Sequence, residues 1–231
     1  MEWEADWRRV GPLEGATTGG LLLGYLGVRY LIPPAQGALW TRPIWFDSGA
    51  RDALVAQSRD GRQVTGRISD YVALAAILHP VLVDSAIVAG LGDNNPDVAF
   101  QLAVINAQSY ALTLFLNGVA KRVFARERPY GSGCAKDPEY TDGCEDLDRY
   151  RSYYSGHAAI TATGAGLTCS HHTHLPLYGG GAGDLTACLG AIAMTLTTGA
   201  LRIASDRHWA TDVVTGHLLG YAAGYLLPTL L

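Results

Sequence analysis

Apolar residues recur along this chain in six long segments, separated by short polar or glycine-rich breaks. The segments contain scattered Val, Ile and Thr but lack the strict apolar–polar alternation of a half-buried strand, so the pattern favours helices. The breaks contain the Asn, Pro and Gly residues that typically end helices. The predicted helices cover residues 16–32, 71–92, 98–124, 157–169, 185–204 and 211–231, and a shorter amphipathic piece covers 47–58.

Length and composition limit the class of protein. The 231 residues fit one domain, and an apolar content of 48% is enough to bury a sizeable core. We therefore expect an all-α fold, a single helical bundle of about six core helices. Residues 1–70 would form an N-terminal segment with the first helix and the amphipathic connection, and residues 71–231 the helical core. The net charge of −4 provides no basic field, so no nucleic-acid partner is expected.

The positions of the charged and polar residues bear on whether these helices cross a membrane. A spanning helix needs about 20 mostly apolar residues, and the second and third segments are long enough but contain polar side chains such as Asp84 and Asn117. If the segments alternate sides, Lys and Arg concentrate on the side that holds 33–70, 121–156 and 201–210. A functional site facing the periplasm on that side would oppose the positive-inside rule. Polar residues inside spanning helices often face a functional interior, so we favour a membrane protein and keep a soluble periplasmic domain as the alternative.

The four cysteines form no Cys-x-x-Cys pair, which argues against a zinc site. Cys134 and Cys144 enclose a short polar stretch rich in turn-forming residues. That arrangement favours a disulfide that closes a surface loop in an oxidising compartment. Cys169 and Cys188 lie on apolar segments and are predicted to be packed thiols rather than a second bridge.

The first candidate for chemistry is the basic stretch at the end of the third segment. Lys121 and Arg128 are seven residues apart, so on a helix they project in nearly the same direction. Pro129 disfavours helical geometry at the preceding residue, which places Arg128 where the helix opens. Two cations arranged in this way could clamp a dianion, although this stretch taken alone is more typical of a solvated basic face.

The second candidate is the sequence Ser155-Gly156-His157 at the start of the fourth segment. Ser155 is a good helix N-cap, and Gly156 allows close approach of the backbone. The exposed N–H groups of a first helical turn form an anion site, and a His beside that site can donate a proton to a leaving oxygen. A single His near a helix start is also a common structural residue.

The third candidate extends from Arg202 through His208 to Asp212. His208 and Asp212 are four residues apart, so on a helix they are neighbours. A carboxylate that holds one imidazole nitrogen fixes the tautomer and leaves the other nitrogen as a nucleophile.

The order and spacing of these stretches resemble one known family. Lys-x6-Arg-Pro, Ser-Gly-His and Arg-x5-His-x3-Asp, in that order, are the signature of the type 2 phosphatidic acid phosphatase and vanadium haloperoxidase superfamily, and the resemblance covers about residues 71–226. Two positions depart from the family pattern. Tyr154 stands where a Pro is usual before Ser-Gly-His, and Leu201 stands where a Ser is usual before the Arg of the third motif. Neither position supplies a reacting side chain.

The resemblance implies a phosphate-binding set. Lys121, Arg128 and Arg202 would bind the phosphoryl oxygens. Ser155 and the backbone of Gly156 would add hydrogen bonds. Three fixed cations and a helix N-terminus would stabilise the charge that a metal stabilises in other enzymes, so neither a metal ion nor another cofactor is expected.

The resemblance also implies a catalytic set. His208 would attack phosphorus and become a phosphohistidine, and Asp212 would orient it. His157 would protonate the leaving alcohol and then activate water. The expected activity is that of a metal-independent phosphomonoesterase acting on a phosphorylated substrate, with a lipid phosphate or lipid pyrophosphate favoured, at a site on the exported (periplasmic or extracytoplasmic) face of the membrane.

Three other functions stay open. The same pocket in a haloperoxidase holds vanadate, although such enzymes are usually much longer than this chain. A phosphatase of small soluble esters is a second alternative. The third, a helical bundle with a decayed site, is disfavoured because every chemical position of the three motifs is intact.

Two further polar stretches each allow two interpretations. His171-His172-Thr173-His174 resembles a metal-binding tract but is interpreted as a loop between helices. The loop before Ser155 is acidic and is either solvated or a lid over the cationic pocket; its carboxylates are Asp137, Glu139, Asp142, Glu145, Asp146 and Asp148.

Overall fold

The fold is a helical bundle, seen in a computed structural model that describes residues 2–141 and 143–230. No strand occurs in these described ranges, so the predicted all-α class is confirmed. The helices are α1 Pro12–Tyr30, α2 Asp47–Leu54, α3 Arg59–Leu78, α4 Pro96–Phe124, α5 Gly131–Cys134, α6 Gly156–His174, α7 Ala182–Ala204, α8 Ala210–Tyr221 and α9 Leu227–Leu230.

Two of these helices continue directly as π-helices, which have a wider turn than an α-helix. A π-helix, His79–Gly92, extends α3 without a break, so the second segment predicted from the sequence begins twelve residues too late. A second π-helix, Ala222–Leu226, joins α8 to α9. Residue 231, the last of the predicted final helix, lies outside the described residues.

Helix α6 is the centre of the bundle, and 14 of its 19 residues are buried. It packs against α3, α4, α7 and α8, while α1 covers the outer side of α4. Most of the buried residues of α6 are Ala, Gly, Thr and Ser, and their small side chains allow the neighbouring helices to approach closely.

Glycines in α8 and the π-helix after it bring this segment against α6. A Cβ atom at Gly220 would lie 2.0 Å from the carbonyl oxygen of Ala159, and one at Gly224 would lie 2.1 Å from that of Thr163. Gly216, four residues before Gly220, approaches the start of α6 in the same way. Only glycine permits backbone contacts this close, and they hold the start of α8 beside the start of α6.

The segment between α4 and α6 carries one disulfide, and a second joins α6 to α7. The predicted Cys134–Cys144 bridge is present. The prediction that Cys169 and Cys188 are free thiols is wrong, because they form a bridge with their Cα atoms 4.5 Å apart. The short connection between α6 and α7 returns the chain antiparallel, which brings the last turns of α6 against the first turns of α7.

Four amide side chains of the long helix α4 face the interior of the bundle. Gln101, Asn106, Gln108 and Asn117 of α4 are all buried, whereas large apolar residues such as Phe100 are exposed. Within the described residues, three helical segments are long and apolar enough to cross a membrane: Arg59–Gly92, Pro96–Phe124 and Ala182–Ala204. These features indicate membrane association.

Candidate active site

The three motif stretches meet at one end of the bundle, where α4 ends and α6 and α8 begin. Helix α4 stops at Phe124 because Ala125 adopts the left-handed backbone conformation, with φ 39°. The chain then turns along the segment that precedes α6, and Ser152 N donates to Arg126 O at 2.9 Å. Ser155 N donates to Asp212 O at 3.1 Å, which ties the starts of α6 and α8 together.

The hydrogen bonds of His208 define its tautomer. Its Nδ1 lies 2.9 Å from the carbonyl oxygen of Ser152, which can only accept, so Nδ1 carries the proton. Its Nε2 lies 3.0 Å from Nη1 of Arg128, which can only donate, so Nε2 presents its lone pair. Burial and the nearby cations of Arg128 and Lys121 lower the pKa of His208 well below the usual histidine value. A neutral imidazole with an unprotonated Nε2 is the form that can act as a nucleophile.

Asp212 acts on His208 mainly through Ser152. Its Oδ2 lies 3.7 Å from His208 Nδ1, which is too long for a hydrogen bond. The same oxygen accepts from Ser152 Oγ at 2.5 Å and from Trp209 N at 3.0 Å. Asp212 therefore fixes the residue whose carbonyl holds His208, together with the turn that leads into α8.

Arg126 is a buried cation that the sequence did not single out. Its Nη1 donates to Asp212 Oδ1 at 2.6 Å, and its Nη2 donates to Asp47 Oδ2 at 2.6 Å. All three side chains are fully buried. The guanidinium carbon lies 3.8 Å from the ring centroid of Trp40. Arg126 thus pairs with the carboxylate behind His208 and connects it to α2.

Arg128 reaches His208 from a loop. Its Nη2 also donates to Asp148 Oδ2 at 2.6 Å, and its Nε donates to the Asp148 carbonyl at 2.9 Å. Burial by itself raises the pKa of the Asp148 carboxyl group. The nearby cations of Arg128 and Lys121 outweigh this effect, so the pKa is lowered. The carboxylate of Asp148 therefore occupies part of the guanidinium surface that an anion would use.

Arg202 and His157 share a single carboxylate oxygen. Arg202 Nη2 donates to Asp70 Oδ1 at 2.6 Å, and His157 Nε2 lies 3.1 Å from the same atom. The Nε and Nη1 groups of Arg202 are buried and have no hydrogen-bond partner among the described residues. Partial burial and the cations of Arg202 and Lys121 lower the pKa of His157. An arriving phosphate would supply the negative charge that favours a protonated His157.

Lys121 completes the cationic group. A Cβ atom at Gly156 would lie 3.3 Å from Lys121 Nζ and 2.9 Å from Asn117 Oδ1, so a side chain at this position would crowd the lysine. Ser155 caps α6, because its side chain accepts from Ala158 N. The N-terminal turn of α6 therefore faces the group that contains Lys121.

A cavity of about 370 Å³ opens beside these groups. Its polar end is formed by Asp70, Lys121, Gly156 and His157. The other end continues between α3, α4 and α6 and is lined by Leu74, Ile77, Leu114 and Ile160.

Two geometric arguments made from the sequence are wrong in detail. Lys121 and Arg128 do not share a helix face, because α4 ends at Phe124 and Arg128 follows on a loop. His208 and Asp212 are not stacked on one helix, because α8 begins at Ala210 and His208 precedes it. All eight site residues predicted from the sequence nevertheless lie at this end of the bundle.

The histidine tract lies at the opposite end of α6. Residues 171–174 form the last turn of α6, so their interpretation as a loop is wrong. His171 and His172 are buried around Asp84, and His79 joins them, with its Nδ1 3.6 Å from Asp84 Oδ2. His79 and Asp84 are five residues apart, and the π-helix that contains both brings residues five apart onto one side. His157 and His171 are 14 residues apart, which separates this cluster from the site by roughly 21 Å along the helix.

The acidic loop is anchored to the site. Asp148 binds Arg128, and Tyr140 Oη donates to Asp206 Oδ2 at 3.0 Å. The guanidinium of Arg62 lies over the Tyr140 ring, 3.8 Å from its centroid. Asp142 lies outside the described residues.

Fold and site together define an all-helical protein with a cationic pocket and a neutral histidine at one end of the bundle. A model of the PAP2 superfamily matches residues 102–231, which is more than half of the chain. The chain belongs to the PAP2 superfamily. Members of this superfamily are phosphatases, which supports a phosphoesterase activity for this chain. A search of curated proteins and a search of solved structures return no match.

Proposed function

We propose that this protein is a metal-independent phosphatase that hydrolyses a phosphomonoester through a phosphohistidine at His208. The observation that carries the proposal is the tautomer of His208, whose Nε2 lone pair points at Arg128 inside a group of cations. Transfer of a phosphoryl group to histidine needs an unprotonated ring nitrogen next to cations that hold the phosphate. His208 and the cations around it provide both.

In the first step, the substrate phosphate displaces internal partners from Arg128 and Arg202 and also binds Lys121. The Nε2 lone pair of His208 then forms a bond to phosphorus as the ester P–O bond breaks. His157, protonated in the bound complex, gives its proton to the leaving alcohol. The imidazolium of His208 keeps its Nδ1 proton on the carbonyl of Ser152.

In the second step, His157 takes a proton from water as the water oxygen attacks phosphorus. The P–N bond to His208 breaks, inorganic phosphate leaves, and both histidines return to their starting forms. The positive charge supplied by three side chains and the N-terminus of α6 stabilises the equatorial oxygens in both steps.

A lipid phosphate is the substrate class that the cavity favours. The polar end of the cavity is lined by Lys121, Gly156 and His157 of the candidate site, and the apolar end runs along α3 and α4. Both helices belong to segments that are long and apolar enough to span a membrane. A substrate with a phosphate head and an acyl or isoprenoid tail matches that change from polar to apolar lining. The Cys134–Cys144 disulfide, in the segment that leads to Ser155, supports a site on the exported face, since such bridges persist in oxidising compartments.

Two measurements with the purified protein in detergent test this proposal. Phosphate release from a lipid phosphomonoester and from a small soluble ester is compared with a chelator present. We expect release in the chelator and a higher kcat/KM for the lipid. Loss of activity that magnesium restores would contradict the metal-free mechanism. Halide oxidation after addition of vanadate and peroxide, without phosphate release, would instead assign the pocket to a haloperoxidase.

A further inference from the structure

Asp70 lies outside the sequence motifs, yet it contacts two of their residues through one oxygen atom. Its Oδ1 is 2.6 Å from Arg202 Nη2 and 3.1 Å from His157 Nε2. Arg202 is almost fully buried, whereas the side chain of Asp70 is 55% exposed. The guanidinium is therefore a fixed part of the site, and the carboxylate that occupies it sits at the edge of the cavity.

The position of this oxygen matches that of a substrate oxygen. In the proposed reaction, the oxygen atoms around phosphorus contact Arg202, and the ester oxygen must lie within reach of His157 to receive its proton. An oxygen within hydrogen-bond distance of both groups thus lies where the proposed reaction would place the leaving-group oxygen. Both remaining donor groups of Arg202 lack partners among the described residues, so this guanidinium has unused capacity for an oxyanion.

We propose that Asp70 is an internal substrate mimic, which occupies the leaving-group position in the empty enzyme and competes with phosphate for Arg202. This inference rests on the proposed function and names a residue that sets the affinity of the site. Substrate binding requires Asp70 to leave Arg202, and its return after hydrolysis helps to expel inorganic phosphate. Asp70 is on the cavity wall and half exposed. When its carboxylate leaves Arg202, it can therefore rotate toward the solvent and does not become a buried, unpaired charge.

The consequence is that removal of Asp70 strengthens phosphate binding. An exposed ion pair contributes little free energy, whereas a charge-assisted hydrogen bond to a buried cation contributes more. The Asp70–Arg202 pair lies between these cases, so we expect its removal to lower the Kd for inorganic phosphate roughly threefold to tenfold. A purely structural role for Asp70 would predict unchanged or weaker binding.

Calorimetric titration of the full-length protein with inorganic phosphate tests the proposal. Asp70→Asn keeps the size of the side chain and removes its charge, and Asp70→Ala also removes its hydrogen-bond acceptors. Asp60→Asn is the matched control, since it removes the same charge from an exposed position of α3 about 15 Å away along the helix. We expect tighter binding in both Asp70 variants and an unchanged Kd in the control. Unchanged or weaker binding in the Asp70 variants, or equal tightening in the control, would overturn the proposal.

Inhibition of turnover by phosphate gives a second readout. We expect the inhibition constant for phosphate and KM to fall together in Asp70→Asn, with a smaller change in kcat. A large fall in kcat with no change in the inhibition constant would assign Asp70 to the positioning of His157 and refute the competitor role. Failure of the proposed function is distinguishable, because a wild-type protein without phosphatase activity would still report phosphate affinity by calorimetry.

Discussion

Replacement of Arg126 by alanine removes the cation that is shared by two buried carboxylates. Asp47 and Asp212 each lie 2.6 Å from a guanidinium nitrogen, and all three side chains are fully buried. Removal of one partner from a buried ion pair costs about 3–5 kcal/mol, because the other charge stays buried without compensation. We expect Arg126→Ala to lower the free energy of unfolding by this amount.

The two carboxylates do not double this cost. Asp47 keeps hydrogen bonds from Thr211 N and Thr211 Oγ1, at 2.8 and 3.0 Å, and from Ile44 N at 2.9 Å. Asp212 keeps those from Ser152 and Trp209. A loss of about 3–5 kcal/mol corresponds to a fall in Tm of roughly 6–20 °C for a protein of this size.

Thermal unfolding in detergent, followed by circular dichroism, measures this change. Arg42→Ala is the control, because Arg42 is exposed and surface substitutions usually change stability by less than about 0.5 kcal/mol. Adding Asp47→Asn to Arg126→Ala should recover part of the loss, since one of the unpaired charges is then absent. A Tm for Arg126→Ala within 2 °C of the control, or no recovery in the double variant, would refute the reasoning.

Three further predictions follow from the site and the loop beside it. His157→Asn should lower kcat by about 10²–10⁴-fold for an alkyl phosphate. The loss should be much smaller for a nitrophenyl ester, because its leaving group needs no proton. Equal losses for the two substrates would exclude His157 as the general acid. Because burial and Arg128 lower the pKa of His208, its imidazole stays neutral as the pH falls, so the acidic limb of the kcat/KM profile should lie below the usual histidine value of about 6.5. An acidic limb at or above that value would contradict this. Replacement of Cys134 and Cys144 by Ser should lower the free energy of unfolding by roughly 2–3 kcal/mol, because the unfolded chain gains entropy when the loop is open. Mass spectrometry that finds both thiols free in protein from an oxidising compartment would contradict the bridge.

Sequence reasoning located the motif residues because their chemistry depends on residue type and order. Lys121, His157 and His208 could be selected in this way before any fold was known. The helices were also predictable, since the core of the bundle is built from long apolar segments. The ends of the helices were harder to predict, because tertiary packing can extend a helix beyond its apolar stretch. The polar first residues of α3 are an example.

The supporting residues could not be predicted because their partners are distant in the chain. Arg126 lies within the first motif stretch, but its role depends on Asp47, 79 residues away. Asp70 contacts Arg202, 132 residues away. No spacing along the chain signals such pairs, since only tertiary packing brings them together: α3 against α7 for Asp70 and Arg202, and α2 against the loop after α4 for Asp47 and Arg126. The pairing of Cys169 with Cys188, 19 residues apart, was missed for another reason: both residues lie on apolar segments, where packed thiols are equally typical.

The orientation of His208 is the point at which sequence and structure differ most. Spacing alone predicts that Asp212 holds His208 directly, whereas the nearest acceptor to Nδ1 is the carbonyl of Ser152. A backbone carbonyl has no side-chain signature, so no sequence pattern could have identified it. The carboxylate is one step further from the imidazole and stabilises the turn that carries it.

The central claim is that Nε2 of His208 becomes covalently bound to phosphorus during turnover. The most direct measurement is to quench the wild-type protein during turnover of a ³²P-labelled phosphomonoester and to map the label by mass spectrometry under alkaline conditions, which preserve phosphohistidine. We predict label on His208 of the wild type, with none trapped and no phosphate released by His208→Ala. A labelled phosphoenzyme in His208→Ala, or near-normal phosphate release by that variant, would contradict the account.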